Sequence, residues 1–191
     1  MTPRRAATTA AFTAVVAFLA WLLFVGLPRW YGAPATRPAA AAAPSAPAAP
    51  GRKITAHLFY VADDGMRLVR ADRDVPFGEG TVQQAKEIIN AQIAPVTPPL
   101  VSAIPAGTTL RALFITAKGD AYVDLSREIM TGHTGGTVDE LLTVYTIVNA
   151  LTANLPAVSG VQLLVDGKEV ETLAGHVDLR RPLAGNLSRV Q

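Results

Sequence analysis

Residues 137–165 read TVDELLTVYTIVNALTANLPAVSGVQLLV, and this stretch decides the fold. Val138, Leu141, Leu142, Tyr145, Val148, Leu151 or Thr152, and Leu155 recur at steps of three and four, the spacing that lines one face of an α-helix. Thr137 with Glu140 fits a capping box at its start, and Pro156 stops it. Val161 to Val165 is then almost wholly apolar and too short for a helix, so it reads as a central strand. Asp166-Gly167 turns the chain into a further strand from Glu169 to Leu173. A long amphipathic helix followed by a central strand calls for helices packed on a sheet.

Upstream the same logic repeats. Ile54 to Val61 alternates, with Ile54, Ala56, Leu58 and Tyr60 on one face and Thr55, His57, Phe59 and Val61 on the other. Asp63-Asp64-Gly65 reads as a hairpin turn into a partner strand from Met66 to Val75. Thr81 with Gln84 fits a second capping box, followed by Val82, Ala85, Ile88, Ile89 and Ile93 at helical spacing until Pro95, Pro98 and Pro99. Two more strands, Thr109 to Thr116 and Ala121 to Leu125, join around Lys118-Gly119-Asp120. The order ββα-ββα-ββ predicts one α+β domain over 52–175, a mainly antiparallel sheet with two packed helices, and a C-terminal tail over 176–191.

The N-terminal part has a different composition. Positions 6–27 carry no charge and hold Phe12, Val15, Phe18, Leu22 and Phe24, enough at 1.5 Å per residue to span ~30 Å of hydrocarbon. Arg4 and Arg5 precede the stretch, so the positive-inside rule places residues 1–5 in the cytoplasm and the domain outside it. The span is long for the apolar core of a cleaved signal, whose small-residue site would be Ala33-Pro34-Ala35, and an uncleaved single-pass anchor in the cytoplasmic membrane is the reading. Residues 28–51 form a Pro/Ala-rich linker, in which Ala33 to Gly51 favours extended polyproline geometry and at ~3.1 Å per residue reaches up to about 60 Å.

The net charge of +2 misleads about partners. All 15 acidic residues but only 13 of the 17 Lys and Arg follow Gly51, so the folded part carries about −2. Without a basic face by count, nucleic-acid binding is not expected. With no cysteine, the chain has no disulfide, thiolate metal site or cysteine nucleophile, and must rest on its hydrophobic core.

The loop and strand-end residues add a family likeness. Leu58-Phe59-Tyr60, Leu68-Val69-Arg70, Ile104-Pro105-Ala106-Gly107-Thr108, Tyr122-Val123-Asp124-Leu125-Ser126, the helix from Thr143 to Thr152, and Val161 to Lys168 stand in order over Ile54 to Leu173. The sequence resembles the GerMN (sporulation and spore germination) domain family. The resemblance implies a domain outside the cytoplasmic membrane on an anchor or lipid tail, in some members a module of envelope assemblies, with no established reaction to carry over. This chain departs from the tandem arrangement in having one copy.

Candidate chemistry is sparse. Asp124, Ser126 and His133 are the residue types of a hydrolase triad, but no G-x-S-x-G elbow accompanies them, and Ser126 reads better as a cap of the turn Arg127 to Met130. His57, His133 and His176 lack metal-ligand spacing, and Asp63-Asp64-Gly65 lacks the further acids of a calcium loop. Gly132, Gly135 and Gly136 lead into the helix at Thr137, where Asp139 and Glu140 already complement the dipole. No catalytic residue, metal or cofactor is expected. Arg67, Arg70 and Arg73, with Asp72 and Asp74, decorate the second strand; on a sheet edge they would discourage random pairing and admit a chosen partner. The expectation is a non-catalytic module that binds an envelope protein or itself, the alternative a reader of cell-wall glycan or a small ligand. Most of the aromatics Phe59, Tyr60, Phe77, Phe114, Tyr122 and Tyr145 fall at expected core positions, which favours a protein partner over a glycan.

Overall fold

Alternating apolar residues draw the first strand into a hairpin: β1 (Lys53–Val61) pairs antiparallel with β2 (Leu68–Pro76). The computed structural model describes residues 51–188 and 190, together with Leu19, Trp21 and Leu22. Among them no helix is long and apolar enough to cross a membrane, and the rest of the span expected at 6–27, like the linker before Gly51, lies outside the described residues. The turn expected at Asp63-Asp64-Gly65 forms, with Gly65 at φ +67° and the Asp64 carboxylate accepting from the Met66 amide at 2.9 Å. That bond keeps Met66 in the turn, so β2 opens at Leu68.

Helix α1 (Gly80–Ile93) follows, then the antiparallel strands β3 (Leu110–Ile115) and β4 (Asp120–Leu125). A short helix α2 (Glu128–Thr131) and the long α3 (Thr137–Thr152) cross over to β5 (Gly160–Val165), which lies parallel to β4. The two-residue strand β6 (Lys168–Glu169) closes a tight hairpin, Asp166 and Gly167 both taking positive φ as a type I′ turn demands. The element order is as expected, with α2 added. The strands form two sheets, β1-β2 and β3-β4-β5-β6, and the pair β4–β5 is parallel, joined by the helical crossover that a parallel pair needs.

Three local expectations fail because Gln84 and Glu140 bind backbone outside their own helices. Neither helix is capped by its threonine; α3 starts from Gly136 and α1 from Glu79, neither with a side-chain cap. Gln84 reaches back to the Gly78 amide (2.9 Å) and the Pro76 carbonyl (3.2 Å). Glu140, fully buried, accepts from the Leu173 and His176 amides at 2.8 Å. Drawing those amides inward bends the chain, and the strand expected through Leu173 stops at Glu169.

The compact unit runs over Ala49–Gln191. Its core holds Leu58, Tyr60, Ile88, Leu125, Ile147 and Leu163, and every core residue lies between Ala56 and Leu179, so the unit has a core of its own. The described residues of the segment 176–191 are part of it. Leu179 is buried, Leu183 exchanges both backbone hydrogen bonds with Val161 beside β5, and Val190 bridges Leu68 at the start of β2.

Candidate functional site

Sheet edges are where a small domain of this kind can meet a partner strand, because unpaired N–H and C=O groups lie there. In the β1–β2 hairpin, Ala62 N–H donates to Arg67 and Phe77 N–H to Arg52. The alternation this fixes turns the backbone of His57, Phe59 and Val61 away from β2, and that of Leu68, Arg70, Asp72 and Asp74 away from β1.

The outer edge of β1 is covered from within. Gln92 in α1 accepts from Phe59 N–H and donates to its carbonyl, both at 2.8 Å. Asn154 beyond α3 does the same for His57 at 2.8 and 2.7 Å, and Val61 N–H donates to Val101. A side-chain amide presents an N–H donor and a carbonyl acceptor side by side in one plane, so each stands in for one residue of a neighbouring strand. Asn149 repeats the device on Asn186.

The outer edge of β2 differs. Among the described residues Val190 meets it at Leu68, and no strand pairs with it at Arg70, Asp72 or Asp74. The side chains there are exposed and carry alternating charge. Asp72 lies 2.7 Å from His57 Nδ1 and 3.8 Å from Arg70 Nε. The three arginines singled out in the sequence do not form one patch. Arg67 sits in the turn, its guanidinium 2.8 Å from Asp64; Arg70 shares a strand face with Asp72; Arg73 lies on the opposite face, the one that carries Tyr60.

A second feature is a cleft of about 640 Å³ between the loop after α1 and the loop before α3, with Val101, Ile104, Pro105, His133, Asp139 and Thr143 on its walls. Pro105 to Thr108 makes a turn in which Gly107 takes φ +84° and Thr108 donates to the Pro105 carbonyl, Oγ1 at 2.7 Å. Gly132 packs against it so closely that an added Cβ would lie 3.0 Å from Pro105. The polar groups on the walls already have partners. His133 Nδ1 accepts from Gly135 N–H at 2.9 Å, which makes Nε2 the donor of the neutral ring towards Thr143 Oγ1 at 3.2 Å.

The triad residues stay apart in function. Asp124 accepts from Gly167 N–H at 2.7 Å and pairs with Arg111 at 3.2 Å, which supports the β5–β6 turn. Ser126 Oγ accepts from Thr109 N–H at 3.0 Å, and His133 is held as described. The three histidines likewise have separate partners, His57 with Asp72, His133 with Thr143 and His176 with Glu140, and no metal-ligating cluster occurs among the described residues.

Glu140 was not legible as a hub. Burial pushes its carboxyl pKa up, but the amides of Ala174, Leu173, His176 and Val177 outweigh this and hold it below the ordinary range. The aromatics also correct the sequence reading. Phe59 and Tyr60 are core, whereas Phe114 is 62% exposed and stands opposite half-buried Tyr122 on the face of the β3–β4 pair away from the core.

Residues 57–171 match the family model Germane, described as sporulation and spore germination. Among solved structures, the chain is similar to the first GerMN domain of the sporulation protein GerM from Bacillus subtilis, at TM-score 0.50 and 20% identity over 69% of this chain and 97% of that one. The tandem GerMN domains of the same protein superpose at TM-score 0.52 and 22% identity, over 72% of this chain and 47% of theirs. A candidate lipoprotein from Clostridium perfringens gives TM-score 0.49 and 21% identity over 69% and 87%. At such identities the likeness is one of fold. No curated protein matches the sequence.

Proposed function

The chain belongs to the Germane family, described as sporulation and spore germination, and on that premise we propose that it is a non-catalytic interaction module. In this reading residues 6–27 hold it in the cytoplasmic membrane, and the domain binds another envelope protein, or itself, on the extracytoplasmic side. The observation that carries it is the outer edge of β2, where Arg70, Asp72 and Asp74 present backbone groups that no described strand takes up. An edge of this kind accepts an extended segment by main-chain hydrogen bonds, while the charges select which segment. The residue types of a hydrolase, each engaged in holding a turn or loop, support the non-catalytic part.

Crosslinking of the full chain in its native membrane, followed by mass spectrometry, tests the reading. Arg70→Glu with Arg73→Glu is expected to remove the crosslinked partner while the protein stays folded and membrane-bound. An unchanged partner set would count against β2. The glycan reading draws on one observation, the exposed Phe114 beside Tyr122. Co-sedimentation of the compact unit with purified peptidoglycan, abolished by Phe114→Ala, would favour it instead.

A further inference from the structure

We infer that the strand taken up by β2 is β2 of a second copy of this chain, running antiparallel about a two-fold axis at Ala71. The inference rests on reading β2 as the partner-binding edge and names the partner. Only registers that face Arg70, Asp72 and Asp74 of one copy with the same outward-turned set of the other can exchange backbone hydrogen bonds. Centring on Asp72 would also give two Arg70–Asp74 pairs but set two carboxylates against each other on the axis between them, and centring on Arg73 would set Asp72 against Asp74. Like charges directly opposite are unfavourable.

Centring on Ala71 sets Arg70 against Asp72 of the second copy and Asp72 against its Arg70, two complementary pairs on one face. Each pair exchanges two backbone hydrogen bonds, about four in all. Val190 beside Leu68 closes the edge at that end, so pairing stops at Val69 and Arg73. The small, half-buried Ala71 on the axis lets the strands close up. An interface of this length is far below standard size, so it is expected to form where the local concentration is high, as on a shared membrane surface.

The chain has no cysteine, so Ala71→Cys introduces a single thiol. Across the axis the two Ala71 form a non-hydrogen-bonded pair with Cα atoms ~4.5 Å apart, inside the range that a disulfide spans. The full chain, reconstituted in liposomes and mildly oxidised, is expected to give a reducible band at twice its mass. Val69→Cys alone should remain monomeric, whereas mixed with Arg73→Cys it should give the mixed disulfide, because those positions face each other. In the Ala71→Cys background, Arg70→Asp or Asp72→Arg alone should lower the crosslinked fraction several-fold, and the two together should restore it. Circular dichroism checks that each variant is folded.

A folded Ala71→Cys protein that stays monomeric overturns the inference, as does efficient crosslinking of Asp72→Cys with Ala71→Cys silent. If Ala71→Cys stays monomeric while charge reversal still removes an envelope partner, the second copy is wrong and the edge reading stands. If neither has any effect, both fall.

Discussion

Replacing Glu140 is the sharpest test of how the domain is held together. Its side chain has no exposure, yet it is ionised by design, because the Leu173 and His176 amides each donate to it at 2.8 Å and those of Ala174 and Val177 are directed at it as well. Glu140→Ala leaves these amides unpaired in a site water does not reach. Hydrogen bonds to a charged group contribute about 1.5–3 kcal/mol each, and breaking a buried charged network typically costs ~3–5 kcal/mol. Against a total stability of ~5–15 kcal/mol this is a large loss. For a domain of this size it corresponds to a fall in Tm of roughly 10–20 °C. Glu140→Gln keeps one acceptor oxygen and should lose about half as much. His176→Ala keeps its amide and should lose about 1 kcal/mol.

The pH dependence gives an independent readout. The folded pKa of Glu140 lies below the unfolded value, which is about 4.3 for a free glutamate. Its stabilisation is therefore complete above the unfolded pKa and is lost as pH falls through the folded one. Thermal melts followed by circular dichroism on the compact unit should show the gap between wild type and Glu140→Gln at its widest near neutral pH and narrowing below about pH 4. A Glu140→Ala protein melting within ~2 °C of wild type, or a gap that does not narrow in acid, would refute the view that the carboxylate organises residues 173–177.

Two further substitutions probe the buried polar groups. Gln92→Leu leaves Phe59 N–H and C=O without partners on the outer edge of β1. It should cost about 2–4 kcal/mol and make the Phe59 amide exchange with solvent far faster by hydrogen-exchange measurement. Thr146 Oγ1 is buried without a hydrogen-bond partner among the described residues. Thr146→Val keeps the shape and removes the unpaired hydroxyl, so it should raise stability by about 1 kcal/mol, read as a Tm a few degrees higher.

Much of the fold was legible because its signals are local. The steps of three and four from Val138 to Leu155 mark α3, the apolar run Val161 to Val165 marks the central strand, and Asp166-Gly167 marks the turn after it. What was not legible depends on partners far along the chain. Gln92, Asn149 and Asn154 bind backbone 33, 37 and 97 residues away, and no spacing rule announces such contacts. At Glu140 local and distant signals compete, since the sequence offers a capping box while burial goes to a loop 33 residues on. The segment 176–191 has no periodicity, yet single residues such as Leu179 and Leu183 seat it on the sheet. The charged strand was legible in composition and only partly in geometry. That β2 is an edge depends on what the rest of the chain covers, and the turn at Asp64 takes Arg67 out of the strand.

The two edges of the hairpin make the argument about function. On β1, three successive outward residues are each met by a dedicated group, Asn154, Gln92 and Val101, two of them side-chain amides, the buried Gln92 and the half-buried Asn154, that bind strand backbone with both ends. The β1 edge is closed along His57 to Val61, whereas on β2, among the described residues, Val190 meets Leu68 alone. The open stretch is not apolar, as a neglected edge prone to indiscriminate pairing would be, but carries Arg, Asp, Arg and Asp at positions 70, 72, 73 and 74. In the proposed reading such a strand discourages most neighbours and admits one whose charges run in the complementary order. That combination of exposed hydrogen-bonding groups with a selective charge pattern is what the proposed interaction surface requires, and it is the ground for placing that surface on β2.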